Sequence, residues 1–211
     1  MHLELKTPLP GREAQLEMAP MYRRPSIINT VPESAVESAV LVLLSPTNEG
    51  RNRTEMLSWQ VLLIRRNSYP GVHSGQISFP GGRREKTDAN LWETACREGY
   101  EEVGVAGDCL DWVGSLTRIY VPASNFVIYP FMAVDSCRAE IVLDPREAVQ
   151  YKQVPLSVFN PESAVSLPFT YEEGTRPAPA WEYEDFIIWG ATAMMLAEVY
   201  RVVERGLLVR R

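Results

Sequence analysis

Three glutamates are spaced within one turn of a predicted helix near the middle of the chain. Glu98, Glu101 and Glu102 stand at offsets of 0, 3 and 4 residues, which places their side chains on one face of a helix. A hydrated surface face would show the same pattern, because most charge runs simply face solvent. The alternative is a metal site, since Mg²⁺ and Mn²⁺ prefer carboxylate and carbonyl oxygens as ligands.

The surroundings of these glutamates favour the metal site. Carboxylates this close repel one another by about 0.2–0.5 kcal/mol per exposed pair unless a cation lies among them. They also stand at the C-terminus of the predicted helix, where the helix dipole disfavours anions. Gly81 and Gly82 lie just upstream, and an unhindered glycine backbone can bring a carbonyl oxygen to the same cation.

The segment that contains the glutamates resembles the Nudix box. In that box a glycine and an acidic residue precede the pattern Arg-Glu-x-x-Glu-Glu-x-Gly, and here they are Gly82, Asp88 and residues 97–104. Two departures are visible. Gly82 and Arg97 are one residue further apart than in the general box, and Gly99 replaces the usual aliphatic residue.

In the first departure, the spacing from Gly82 to Arg97, the chain resembles one branch of the family, the coenzyme A pyrophosphatases. That branch has the same extra residue. Its two glycines are matched by Gly81 and Gly82, and its two acidic positions by Glu85 and Asp88. One mismatch concerns the substrate, because Gly71 stands where the branch usually has an arginine. Other segments that resemble the branch are 62–65, 73–82, 154–156 and 188–193.

The resemblance implies hydrolysis of a nucleoside diphosphate derivative by attack of water at phosphorus, with Mg²⁺ or Mn²⁺ as the cofactor. Glu98, Glu101 and Glu102 are then the metal ligands, and the carbonyl of Gly82 is a further ligand. The proton of the attacking water passes to Glu98 or to a glutamate of a later loop, for which Glu147 is the candidate. The alternative for Glu147 is an ordinary surface glutamate.

Basic residues near the box are predicted to meet the substrate or to support the helix. Arg97 is expected to pair with a neighbouring carboxylate and so to fix the helix. Arg65 and Arg66 follow a strand and are expected to reach a substrate phosphate, unless one of them only caps the sheet edge. His73 is predicted to contact substrate or shape its loop rather than act as the base. The predicted substrate-binding residues are Arg65, Arg66, His73, Gly81 and Gly82.

The elements that must position these residues follow from apolar patterning. The apolar runs 39–44 and 57–65 predict a strand hairpin. A helix is predicted over 88–103, with Thr87 or Asp88 as its N-cap and Gly104 as a left-handed C-cap. Further predicted elements are strands over 110–119, 126–134 and 181–188, a strand or turn into a short helix over 146–160, and a helix over 191–205.

Strands in mixed order with two helices predict an α/β protein of the α+β type. The resemblance specifies this as a Nudix-fold α/β/α sandwich, a mixed sheet between helices. Residues 1–35 contain five prolines and are predicted to be a loosely structured lead-in with one short helix. Whether this lead-in is an arm of a homodimer is left open, and the resemblance implies that residues 36–211 form a single Nudix domain.

The composition of the chain excludes several classes of protein. A net charge of −6 argues against broad contact with a nucleic acid backbone. Apolar stretches fall short of the roughly 20 residues that a membrane span needs, and no signal peptide is visible. Three cysteines without a C-x-x-C spacing suggest neither a disulfide framework nor a zinc site, so a cytoplasmic location is expected.

The leading hypothesis from the sequence is hydrolysis of coenzyme A or its derivatives to 3′,5′-ADP and 4′-phosphopantetheine. Because of Gly71, a diphosphatase acting on ADP-ribose or on dinucleotides such as NADH is the alternative within the family. A Nudix-fold module that binds a nucleotide without cleaving it is the alternative from another class. Such a module is expected to lose glutamates of the box, and all three are present.

Overall fold

A computed structural model describes residues 3–23, 31–47, 52–68, 75–171 and 174–210. In chain order the strands are β1 (Leu3–Leu5), β2 (Val36–Ser45), β3 (Gln60–Arg66), β4 (Ile77–Ser78), β5 (Gly81–Arg83), β6 (Leu110–Ser115), β7 (Ile119–Val121), β8 (Phe126–Asp135), β9 (Ala148–Pro155), β10 (Val165–Tyr171), β11 (Gly174–Tyr183), β12 (Phe186–Trp189) and β13 (Leu208–Arg210). The helices are α1 (Gly11–Glu17), α2 (Arg53–Leu57), α3 (Leu91–Val103) and α4 (Gly190–Glu204).

A mixed sheet forms the centre of the fold. Its strand order is β4-β3-β2-β8-β6, with β5 also paired to β2, β7 to β8 and β9 to β3. Strands β2 and β8 run parallel, and the other pairs are antiparallel. Strands β10, β11 and β12 form a separate antiparallel sheet, and β1 pairs with β13. The expected mixed sheet of the α+β class is therefore confirmed.

The two faces of the central sheet carry two apolar clusters, one under α3 and one under α4. Residues 41–44 of β2 and 61–64 of β3 are buried and alternate between these clusters, as side chains on a strand must. The apolar side chains of α4 fill one cluster, and those of α3 line the other. The same alternation directs Arg65 and Arg66, at the end of β3, towards opposite faces.

The predicted hairpin and the two predicted helices are present. Strands β2 and β3 pair antiparallel at their ends. Helix α3 ends at Val103, and Gly104 after it is the expected left-handed C-cap, with a φ of 74°. It begins later than predicted, because Asn90 is the N-cap and accepts a hydrogen bond from the backbone of Glu93 at 3.0 Å. Asp88 is instead engaged by side chains of α3.

The last predicted strand, over 181–188, is two strands. Strand β11 ends at Tyr183 and β12 begins at Phe186. Glu184 in the turn between them has a φ of 53°, a backbone conformation that a continuous strand does not contain. Apolar residues stand on both sides of this turn, and the two acidic residues between them, Glu184 and Asp185, were not read as a turn.

Residues 3–23 of the predicted lead-in contain the expected short helix, α1, but they pack against the rest of the chain rather than being loosely structured. Strand β1 pairs with β13 near the other end of the chain, and α1 packs against α4. Met18 is fully buried, and the amide of Gln15 donates to Glu198 at 2.9 Å. The prolines indicated irregular structure, but partners nearly 200 residues away left no local signal.

The expectation that the cysteines form no disulfide is also corrected. Cys109 and Cys137 are joined, with their Cα atoms 5.2 Å apart, while Cys96 is free and half-buried. The pair meets because Cys109 directly precedes β6 and Cys137 follows β8, and these strands are antiparallel neighbours.

Within the described residues, no helix has the length and the apolar character needed to cross a bilayer.

Candidate active site

Two glycines allow β5 to lie directly against α3. A Cβ atom on Gly82 would lie 2.5 Å from the carboxylate atoms of Glu98, and one on Gly81 would lie 2.4 Å from the carbonyl oxygen of Ala39. Gly81 also has a φ of 152°, and its amide donates to Glu102 at 2.8 Å. The absence of side chains at these two positions therefore sets how closely two of the three glutamates approach the strand.

Gly99, the departure from the usual box, has a packing cause. A Cβ atom at this position would lie 2.8 Å from Cδ2 of Leu41 in β2, below the distance that side chains tolerate. Leu41 is fully buried beneath the helix. The leucine therefore fills the space that an aliphatic side chain at position 99 would take, and the helix keeps its close contact with the sheet.

Arg97 joins the acidic residues of the box. Its Nε and Nη2 atoms donate to the two oxygens of Asp88 at 3.0 and 3.1 Å. Its Nη1 atom donates to Glu98 at 2.9 Å and to Glu101 at 3.0 Å. The hydrogen bonds from this guanidinium lower the pKa of Asp88 to about 2. Arg97 therefore pairs with neighbouring carboxylates, as expected, and its role in fixing the helix stays a prediction.

Arg66 makes a second bridge, between α3 and the loop before β9. Its Nη1 atom lies 3.3 Å from Glu102 and donates to the carbonyl oxygen of Gly81 at 3.4 Å. Its Nη2 atom lies 4.0 Å from the carboxylate of Glu147. The guanidinium thus connects the buried glutamate of the box with the candidate base, which is half-exposed.

Arg65 contacts a different part of the protein. Its Nη2 atom donates to the side chain and to the carbonyl oxygen of Asp185, both at 2.8 Å. The guanidinium carbon lies 5.0 Å above the ring centre of Phe186. These contacts are on the α4 side of the sheet, so the structure does not bring Arg65 to the glutamates.

Burial raises the pKa of two glutamates of the box, Glu98 and Glu102. Glu102 is 1% exposed, and this burial raises its pKa to about 7, although the charge of Arg66 opposes the shift. Burial also raises the pKa of Glu98, against the opposing hydrogen bond from Arg97. Both carboxylates would therefore be stabilised in their charged form by a cation placed beside them.

The contact network holds more negative than positive groups. Five carboxylates contact the guanidinium groups of Arg66 and Arg97, an excess of three negative charges when all are ionised. Among the residues that the structure describes, no three acidic, His or Cys side chains are already arranged to hold a metal ion. The donors nevertheless fit a hard divalent cation in kind, since they are carboxylate oxygens beside a glycine-lined strand.

The structure brings together most of the predicted site residues. These are Arg66, Gly81, Gly82, Arg97, Glu98, Glu101, Glu102 and Glu147. Arg65 lies elsewhere, and His73 and Gly71 lie outside the described residues. Two residues were not predicted to make the contacts that they make here. Asp88, expected as an N-cap and as the acidic position of the box, is the partner of Arg97, and Asn67 is a partner of the loop that carries Glu147. No pattern in the sequence connects Asn67 with that loop, which is nearly 80 residues away.

The chain is similar to proteins of one family. A family model described as NUDIX domain matches residues 37–180. An uncharacterized Nudix hydrolase NudL of Pectobacterium atrosepticum is 27% identical over 146 residues, which cover 66% of this chain and 72% of the relative. The chloroplastic Nudix hydrolase 22 of Arabidopsis thaliana is 28% identical over 196 residues, covering 90% of this chain but 59% of the relative.

Solved structures show the same fold. A Nudix hydrolase from M. smegmatis, RenU, superposes with a TM-score of 0.54 at 14% identity, covering 84% of this chain and 91% of that one. A MutT protein from Methanosarcina mazei Go1 gives a TM-score of 0.50 at 15% identity, covering 79% and 92%. With the box glutamates gathered between β5 and α3 and the domain match spanning more than half of the chain, this protein belongs to the NUDIX-domain family of hydrolases.

Proposed function

We propose that this protein uses Mg²⁺ or Mn²⁺ to hydrolyse the diphosphate bond of coenzyme A or its derivatives, giving 3′,5′-ADP and 4′-phosphopantetheine. The observation that carries the proposal is the acidic network on α3, in which five carboxylates share two guanidinium groups. Such an excess of negative charge repels an anionic diphosphate unless a divalent cation joins the two. The net charge of −6 therefore does not argue against an anionic substrate.

Glu98, Glu101 and Glu102 would hold the cation, with the carbonyl of Gly82 as a further ligand. A cation bound there would neutralise charge on the phosphate oxygens and lower the pKa of a water molecule, so that hydroxide is available for attack near neutral pH. The Nη1 atom of Arg97 donates to both Glu98 and Glu101 and so holds their carboxylates next to each other. The amide of Gly81 orients Glu102 from the opposite side.

Glu147 is our candidate for the group that accepts the proton of the attacking water. Its side chain is 52% exposed, and its only ion pair with a described residue is the long one with Arg66. Glu98, the other candidate, is 15% exposed and is held by Arg97 at 2.9 Å. A base must be free to take a proton and reach solvent or substrate, so the contacts favour Glu147.

A second candidate substrate class is ADP-ribose or a dinucleotide such as NADH. Gly71 favours it, because the coenzyme A branch usually has an arginine there, and an arginine is suited to hold the additional 3′-phosphate of coenzyme A. Loss of that arginine would reduce the preference for the phosphorylated ribose. The metal and the base would act in the same way on both substrate classes.

The experiment is a substrate panel with purified protein and either Mg²⁺ or Mn²⁺. Coenzyme A, an acyl coenzyme A, ADP-ribose and NADH are incubated at equal concentration, and the products are identified by mass spectrometry. We expect 3′,5′-ADP and 4′-phosphopantetheine from coenzyme A. Fast cleavage of ADP-ribose or NADH without cleavage of coenzyme A would refute the substrate and keep the reaction.

The double variant Glu101→Gln, Glu102→Gln is the matched control for the panel. It should fold and lose turnover of every substrate. Binding of a panel nucleotide by the unchanged protein without any cleavage would instead support a non-catalytic binding module. Size-exclusion chromatography with light scattering in the same preparation tests the homodimer, which stays a prediction, as does the cytoplasmic location.

A further inference from the structure

The loop that carries Glu147 is tied to Asn67, the residue that follows β3, by side-chain and backbone hydrogen bonds. The amide of Asn67 donates to the carbonyl oxygen of Pro145 at 3.0 Å and to that of Arg146 at 3.4 Å. The backbone amide of Asn67 donates to the carbonyl oxygen of Glu147 at 2.8 Å. Three hydrogen bonds from one residue therefore fix three consecutive residues of the loop.

The other side of this loop is attached to the C-terminus of α3. The backbone amides of Val142 and Asp144 donate to the carbonyl oxygens of Val103 and Glu102, at distances of 3.1 Å each. These carbonyls belong to the last turn of the helix, where no partner exists within the helix itself. The loop is thus held between the helix that carries the box and the residue next to Arg66.

These attachments determine where Glu147 stands relative to Glu102. Glu147 lies one residue beyond the segment held by the Asn67 amide, and the Asp144 amide bonds to Glu102 itself. Arg66, the neighbour of Asn67, contacts both carboxylates. The contact with Glu147 is long, at 4.0 Å, so the hydrogen bonds of Asn67 are the shorter and more directional restraint.

We propose that Asn67 is a positioning residue for the reaction, which holds the Asp144–Glu147 loop so that the Glu147 carboxylate faces the box glutamates. The inference rests on the proposed function, in which Glu147 accepts the proton. Asn67 does not touch substrate and acts only through the loop. A displacement of a base by about 1 Å can cost up to about a hundredfold in rate, so a loosened loop would slow the chemical step.

The test is a double-mutant cycle between Asn67 and Glu147. Asn67→Asp replaces the donating amide with a carboxylate that repels the two carbonyl oxygens, and should lower kcat about tenfold while KM changes less than about twofold. Glu147→Gln should lower kcat about a hundredfold. In the Glu147→Gln background, Asn67→Asp should add less than about a twofold loss, because no base remains to be positioned.

Two further variants keep the test decisive. Asn67→Ala removes the donors without adding charge and should lower kcat in the same direction as Asn67→Asp. The matched control is Asn125→Asp, because the Asn125 amide also donates to a carbonyl oxygen, that of Ser34 at 2.9 Å, but in a turn on another part of the sheet. This control should leave kcat unchanged within about twofold.

Hydrogen exchange without metal or substrate provides a readout independent of activity. The backbone amides of Glu147 and Ala148 bond to the carbonyl oxygen of Asp144, and their exchange should accelerate in Asn67→Asp and not in Asn125→Asp. Equal losses of kcat in both backgrounds, or unchanged exchange in the loop, would overturn the positioning role. An unchanged kcat in Glu147→Gln would overturn both the base and this inference. If no panel substrate is cleaved, the proposed function fails, and the exchange measurement still decides whether Asn67 anchors the loop.

Discussion

Each of the two long helices buries one glutamate against the sheet, and their surroundings differ. Glu102 on α3 is 1% exposed and Glu198 on α4 is 0% exposed. Glu198 accepts hydrogen bonds from the side chain of Gln15 at 2.9 Å and from the backbone of Thr117 at 3.1 Å. Glu102 accepts one from the backbone of Gly81 and faces the charged Arg66.

The difference separates a structural carboxylate from one that can take part in chemistry. Burial raises the pKa of both groups. The described hydrogen-bond donors of Glu198 are neutral groups that connect α1, α4 and the segment after β6, so this carboxylate contributes to packing. Glu102 belongs to a network with an excess of negative charge, which a cation would relieve. Burial alone therefore does not distinguish the two carboxylates, and it is the charges around Glu102 that support its proposed role in the reaction.

The largest predicted effect distinguishes the two glutamates by activity. Glu102→Gln should reduce kcat by about a thousandfold or more, equivalent to about 4 kcal/mol of transition-state stabilisation, since it removes a predicted metal ligand. Glu198→Gln should change kcat by less than about twofold. Steady-state kinetics with Mg²⁺, alongside thermal unfolding of both variants, checks the comparison. Similar losses in the two variants would show that the contrast is wrong.

A smaller effect is expected from the strand that faces α3. Gly82→Ala would place a methyl group 2.5 Å from the Glu98 carboxylate, so that this side chain must move and kcat should fall by about a hundredfold. Gly107→Ala is the control, because a Cβ there would meet its nearest atom only at 4.0 Å. Full activity of Gly82→Ala, measured under the same conditions, would argue that Glu98 does not need its present position.

A loss of stability without a loss of activity is expected when the structural glutamate, Glu198, is replaced. Glu198→Ala leaves Gln15 and Thr117 without their buried acceptor and should lower the free energy of unfolding by about 2–3 kcal/mol, with kcat unchanged. Glu13→Ala, at an exposed position of α1, should stay within about 0.5 kcal/mol of the unchanged protein. Urea denaturation measures both. Normal stability of Glu198→Ala would mean that the hydrogen bonds accepted by Glu198 contribute little to the free energy of unfolding.

The smallest predicted effect is a pH dependence of stability. The pKa of Glu198 is raised above its ordinary value of 4.5 by burial, so the folded state favours the protonated group. Its contribution is complete below pH 4.5 and is lost as the pH rises through the folded pKa. Unfolding free energies measured over this range should therefore fall more steeply in the unchanged protein than in Glu198→Gln. Parallel curves for the two proteins would contradict the assignment.

The sequence predicted the helix of the box and the hairpin well, because both depend on local patterns. The offsets of the three glutamates, the C-cap at Gly104 and the apolar runs of β2 and β3 are all visible within short segments. The resemblance to the Nudix box also placed Arg97 correctly. These features required no knowledge of distant contacts.

What the sequence did not reveal depends on contacts between distant segments. Strand β1 pairs with β13, Cys109 bonds to Cys137, and Asn67 holds residues 145–147. Arg65 and Arg66 are adjacent and chemically alike, yet only the face of β3 on which each lies decides which one reaches the glutamates. That face became clear only once the pairing of β3 and its burial were known.

The central claim is that the acidic network on α3 binds a divalent cation. Titration of Mn²⁺ into the metal-free protein, followed by calorimetry or electron paramagnetic resonance, tests it most directly. The unchanged protein and Glu198→Gln should bind Mn²⁺ equally, and Glu102→Gln should bind it at least about tenfold more weakly. Equal affinity in all three proteins, or no binding by the unchanged protein, would contradict it.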